Sequence, residues 1–98
     1  MTMEWITIEG YCSSHHTEVS FVNALEESGL IEVIEVEEAR CIQYDQLEQL
    51  ESFTRLHHEL DINVEGIETI HYLLQRIGDM QQQIHMLENR LKRYEGGA

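Results

Sequence analysis

The chain lacks proline altogether, and only six of its 98 residues are lysine or arginine. Without proline-rich or low-complexity linkers, and at this length, it reads as one domain with room for a modest core. No apolar run approaches the roughly 20 residues that a membrane span needs. The opening MTMEWITIEG has neither a basic start nor a long apolar stretch, so no secretory signal is expected. Cysteine is scarce. Cys12 and Cys41 are expected as small buried apolar residues in a reducing, cytoplasmic setting, since only Arg40 flanks either of them to lower a thiol pKa. None of the six glycines sits in a phosphate-binding loop.

The shortage of cations carries the most meaning. Nineteen acids face six bases, for a net charge of −13. Residues 1–75 hold sixteen acids and two bases (Arg40 and Arg55), a balance of −14, whereas 76–98 hold three acids and four bases, a balance of +1. Affinity for duplex DNA rests largely on cations that displace counterions from phosphates, so nucleic acid is an unfavoured partner for this front. A basic protein surface is a favoured one.

What is present is a series of short elements. EWITI alternates and reads as an extended lead-in, and Thr7 caps a first helix over roughly 8–14. After the SSHHT turn, Thr17 is the expected cap of a second helix that Gly29 ends. LIEVIEVEEARCIQY suggests two short strands and a turn, the position of a wing, although the turn lacks an Asn-Gly signal. Strand alternation would place Glu35 and Glu37 on one face with Val36 turned away. Asp45 and Glu48 resemble a capping box before a third helix with Leu47, Leu50, Phe53, Leu56 and Leu60 on its apolar side. DIN breaks that helix, and Asn63 caps a fourth, entered through Ile67.

The fourth helix has the clearest pattern. Ile70, Leu73, Ile77, Met80, Ile84, Leu87, Leu91 and Tyr94 follow steps of three and four without a miss, which is a heptad seam. Residues 70–94 would extend about 37 Å at 1.5 Å per residue, more than so small a domain covers. The stripe therefore predicts a homodimer interface. The expected organisation is a winged helix-turn-helix domain over 1–66, a coiled-coil dimerisation helix over 67–95 continuous with it, and a flexible tail over 96–98.

Chemistry of other kinds finds little footing. The histidines fall as His15-His16, His57-His58, His71 and His85, with no His-x-x-x-His or Cys-x-x-Cys unit, and adjacent residues on a helix point about 100° apart. No metal, no cofactor and no catalytic set is expected. The acids are concentrated instead. Glu26, Glu27, Glu32, Glu35, Glu37 and Glu38 fall within thirteen residues without one base, and they are the expected partner-binding residues. Glu18, near the start of the second helix, is a weaker member because an acid there also complements the helix dipole.

The order of short helix, second helix, wing, helix and dimerising helix resembles that of MerR-type regulators. Within that superfamily, RLHHELDINVEGIETIHYLLQRI (Arg55 to Ile77) is similar to the chaperone-modulator family CbpM, as are Tyr11-Cys12, Gly29-Leu30-Ile31-Glu32, Tyr44-Asp45 and the later LENRL. The resemblance spans nearly the whole chain, apart from the wing, which matches poorly. It implies a mainly α, MerR-like winged helix-turn-helix fold with a small β hairpin and an antiparallel pair of long helices. It also implies a non-enzymatic role. Such modulators bind the J-domain of a DnaJ-like co-chaperone, CbpA, and restrain its stimulation of DnaK. The alternative is a MerR-like DNA-binding transcriptional regulator, for which the second helix offers only Asn23 and the wing only Arg40.

Overall fold

The computed structural model describes residues 4–96. Strand β1 (Trp5–Thr7) leads into α1 (Ile8–His15) and α2 (Val19–Glu27). The hairpin β2 (Ile34–Val36) and β3 (Ala39–Gln43) follows, then a 3-10 turn (Tyr44–Gln46), α3 (Leu47–Leu60) and α4 (Val64–Gly96). The fold is mainly helical, with a three-stranded antiparallel sheet in the order β1-β3-β2. The extended lead-in is thus a strand, placed by β3: Trp5, Ile6 and Thr7 pair with Gln43, Ile42 and Cys41.

Local chemistry sets most helix ends. Thr7 Oγ1 accepts the Gly10 N–H at 3.0 Å and starts α1. Asn63 Oδ1 accepts the Gly66 N–H at 2.9 Å at the start of α4. Gly29, at φ +78°, takes the left-handed conformation that leads the chain out of α2. Two expected caps are not made. Thr17 lies outside α2, which begins after Glu18 without a side-chain cap; the Thr17 hydroxyl donates to the His15 carbonyl and accepts from His58 Nε2 instead. Asp45 sits inside the 3-10 turn, so α3 starts one step later, after Gln46, also without a side-chain cap.

The wing turn departs most from expectation. β2 ends at Val36, so Glu37 is a turn residue and shares no strand face with Glu35. Glu37 and Glu38 both have positive φ, 52° and 67°, between the paired Val36 and Ala39. That is the geometry of a two-residue hairpin turn, which favours Asn-Gly because L side chains there are strained. Replacing Glu37-Glu38 by Asn-Gly should therefore stabilise the fold by about 1–2 kcal/mol, read as a higher denaturant midpoint at unchanged slope.

The core joins α1, α2, α3, the first turn of α4 and one face of the sheet. Tyr11, Val22, Leu25, Ile42, Leu50 and Ile67 are fully buried in it. Leu47 and Leu56 pack at its margin, whereas Leu60, placed on the apolar side by spacing alone, is exposed beside the αL residue Asp61 that ends α3. Cys12 and Cys41 are free and buried.

One polar link crosses the core. The Thr54 hydroxyl donates to the Leu50 carbonyl at 2.8 Å, which leaves it to accept from the Tyr11 hydroxyl at 2.7 Å. Burial pushes the Tyr11 phenol above its ordinary 10.0, and the Glu51 carboxylate adds to the rise; burial also raises the Cys12 thiol above 9.0. A raised folded-state pKa stabilises the fold fully below the unfolded value, and that contribution is lost as pH climbs through the folded value. The protein should thus lose stability progressively above about pH 9. Tyr11→Phe should be about 1 kcal/mol less stable at pH 7 yet lose less above pH 10, as followed by circular dichroism.

Contacts divide the chain into residues 1–68 and 69–98. In the second unit α4 continues as helix to Gly96, so the expected tail begins no earlier than 97, and residues 97–98 lie outside the described ones.

Candidate partner-binding surface

The sequence-expected acids are positioned by α2 and the hairpin. Glu26 and Glu27 lie in the last turn of α2, Glu35 in the middle of β2, and Glu37 and Glu38 at the hairpin tip. Glu32 sits in the connection between α2 and β2. That connection is held by one side chain, because the Glu32 N–H donates to Gln46 Oε1 (2.8 Å) while the Glu32 carbonyl accepts from Gln46 Nε2 (3.1 Å). The Glu32 side chain itself is exposed.

The structure sorts these six residues in a way that spacing did not. Arg40, on β3, stands directly opposite Glu35 across the hairpin. Cross-strand partners share a face, and an opposite-charge pair contributes roughly 0.2–1 kcal/mol. The Arg40 guanidinium reaches α2, where it donates to Asn23 Oδ1 and pairs with the Glu26 carboxylate. Glu26 is therefore paired with a cation and Glu35 stands across the strands from it, although no base lies within their own stretch of sequence. Among the described residues, the carboxylates of Glu27, Glu32, Glu35, Glu37 and Glu38 have no ion pair. Glu18 accepts a hydrogen bond from Ser20 at 3.3 Å.

This arrangement changes what α2 presents. Asn23, the one groove-reading side chain of the second helix, and Arg40, the one cation of the wing, are bonded to each other. The exposed residues of α2 are Val19, Ser20 and Glu27, with Glu18 just before it, and none is cationic. Arg40 was legible as the lone cation of the wing, but its destination was not.

The histidines are structural in their contacts. His15 stacks on Tyr11 with ring centroids 4.0 Å apart and faces Glu51 at 3.3 Å, while His57 stacks on Phe21 at 4.3 Å and bonds the Ile62 carbonyl. Among the described residues, no three His, Cys, Asp or Glu side chains are grouped to hold a metal ion. No described helix is long and apolar enough to cross a membrane.

In the second unit the expected seam is open. Leu73, Ile77, Met80, Ile84, Leu87, Leu91 and Tyr94 are all exposed in the single chain, and Ile70 is half-buried. Tyr72, Leu74 and Met86 are exposed outside the stripe.

No curated protein and no solved structure matches the chain. A family model does, over residues 6–89, and its description is MerR HTH family regulatory protein. The match runs from β1 through both helices of the helix-turn-helix, the wing and α3, and most of the way along α4. The chain belongs to the MerR HTH family of regulatory proteins.

Proposed function

We propose that this protein is a dimeric, non-catalytic chaperone modulator that binds the J-domain of a DnaJ- or CbpA-like co-chaperone through its acidic α2 and wing, and so inhibits stimulation of DnaK. The carrying observation is the state of Arg40. The one cation of the wing is taken up by Asn23 and Glu26, while Glu27, Glu32, Glu37 and Glu38 stay exposed. A helix-turn-helix so equipped repels phosphates and attracts a basic protein face. A J-domain presents such a face on its second helix, and the modulator would occupy it in competition with DnaK. The chaperone-modulator resemblance of Arg55 to Ile77 supports the same reading.

The exposed apolar stripe of α4 supports the homodimer. The MerR resemblance implies an antiparallel pair, and charge agrees with it, because parallel helices in register would bring two acidic fronts to one end, where they repel.

The family match favours one other reading, a DNA-binding regulator. Mixing the protein with the J-domain co-chaperone of its own organism and, separately, with DNA decides between them. The J-domain should bind, more weakly as salt rises, and DNA should not. Retention of DNA but not of the J-domain would reverse the assignment.

A further inference from the structure

The strand register gives the sheet two unlike faces. Ile6, Ile42, Glu35 and Arg40 share one, which packs on the core through its isoleucines and on α2 through Arg40. Trp5, Thr7, Ile34, Val36, Ala39, Cys41 and Gln43 share the other. None of the five apolar ones joins or packs against the cluster built from the helices, although Cys41 is itself buried. Cys41, at the centre of the sheet, is covered, but Trp5 is 44% exposed, and Ile34, Val36 and Ala39 are half-buried. A surface face of a small antiparallel sheet ordinarily alternates to polar residues. This one is apolar at Ile34, Val36, Ala39 and Cys41 of the hairpin, with the polar Gln43 opposite Trp5 at its far end.

At the hairpin end this face runs into a cleft of about 390 Å³, lined by Thr7, Ile8, Val19 and Ala39, by the acids Glu9 and Glu38, and by Arg40. Val19 is 40% exposed there. Among the described residues, the carboxylates of Glu9, Glu37 and Glu38 have no ion pair. Apolar ground bordered by unpaired carboxylates suits a lysine or arginine, whose stem packs on the apolar part while its head meets the acid.

We propose that the outer face of the sheet, from Trp5 across Ile34 and Val36 to the Glu9–Glu38 cleft, is a docking platform for an amphipathic, lysine- or arginine-bearing segment of a partner protein. The inference rests on the acidic-surface reading above and adds the apolar half of the interface. Charge selects this occupant. A second copy would bring its own −14 front against Glu37 and Glu38, and nucleic acid would meet the same repulsion. Arg40 also lines the cleft, but its guanidinium is taken up by Glu26 and Asn23, and among the described residues the carboxylates of Glu9 and Glu38 are left without an ion pair.

Trp5 is the single tryptophan of the chain, so the platform carries its own reporter. The full chain is titrated with a helical peptide of lysine and leucine, free of aromatics, with leucines three and four apart. A lysine and serine peptide of equal charge serves as comparison. The lysine–leucine peptide should blue-shift Trp5 emission and protect it from acrylamide. Val36→Lys, checked for fold by circular dichroism, should weaken that binding about tenfold or more. The lysine–serine peptide should bind more weakly and leave Trp5 unshifted. Peptide binding by anisotropy with Trp5 unmoved would overturn the platform and leave the acidic surface standing. J-domain binding without peptide binding would do the same. Failure of the J-domain and both peptides alike would remove the acidic-surface reading as well. A Trp5 shift on raising protein concentration alone would give the face to a second copy and overturn the proposal.

Discussion

Ile77→Asp should turn a dimer into a monomer, with light scattering reading half the mass of the parent. Ile77 is 47% exposed in the single chain, although it is an isoleucine in the middle of an unbroken stripe. Its stripe neighbours Leu73 and Met80, and Ile84 a full heptad on, are exposed as well. The polar remainder of α4 does not bury this stripe within the chain, and in the proposed dimer a second copy would remove it from water. An aspartate at Ile77 would put a carboxylate into the seam twice, once from each chain. Leaving an unpaired charge there costs several kcal/mol, so the dissociation constant should rise by about a thousandfold or more. Much of the helical signal of α4 should go with it, because an isolated helix of this composition is marginal in water. Ile84→Asp should behave alike, while Gln82→Asp, on the opposite side of the helix, should do neither. The orientation can be read from Ile84→Cys. Parallel helices in register oxidise readily to a crosslinked dimer. Antiparallel helices that set Ile84 against Met80 of the other copy crosslink only when Met80→Cys is added. A parent protein that scatters as a monomer would end the dimer proposal.

The second large effect concerns the hairpin tip. Glu37→Lys combined with Glu38→Lys should weaken J-domain binding by about a hundredfold at low salt, with the difference shrinking as salt rises. This pair tests the surface more cleanly than Glu26 or Glu35. Glu26→Lys breaks the pair with Arg40 and sets two cations together, and Glu35→Lys places a second cation directly across from Arg40. Either would mix a stability loss with a binding loss. Glu37 and Glu38 carry no such partner among the described residues, and lysine occupies their positive-φ positions no worse than glutamate does. Calorimetry on the double variant and on Glu37→Gln with Glu38→Gln separates charge reversal from charge removal. Binding that ignores both would remove the acidic surface as the mechanism. The strain at this tip gives the same test a stability side. Two glutamates hold a turn that Asn-Gly would make more easily, so the Asn-Gly variant should be the more stable protein and the poorer binder.

Much of this molecule is written locally. Thr7 and Asn63 cap helices because a side-chain oxygen three residues ahead of a free N–H meets it wherever the chain turns into a helix. Gly29 leaves α2 because glycine alone takes its backbone angles without strain. The heptad of α4 and the order of elements follow from the spacing of apolar residues, which needs no knowledge of what lies opposite. The failures are local readings that a distant group overrode. Thr17 had a second use, between His15 and His58, and the α2 cap was lost to it. The hairpin stood where it was expected, but the pairing of Val36 with Ala39 put Glu37 in its turn and off the strand face of Glu35.

What the sequence determined by itself, then, is the run of helices and strands, the open seam of α4 and the concentration of carboxylates between Glu26 and Glu38. Tertiary structure alone decided how those carboxylates divide. Strand register carried Arg40 across the hairpin from Glu35 and close enough to α2 to engage Glu26, and it turned Trp5, Ile34 and Val36 to the outer face. Charge counted along a chain is blind to such pairing, because Coulomb attraction depends on distance through space, and folding sets that distance after the order of residues is already given.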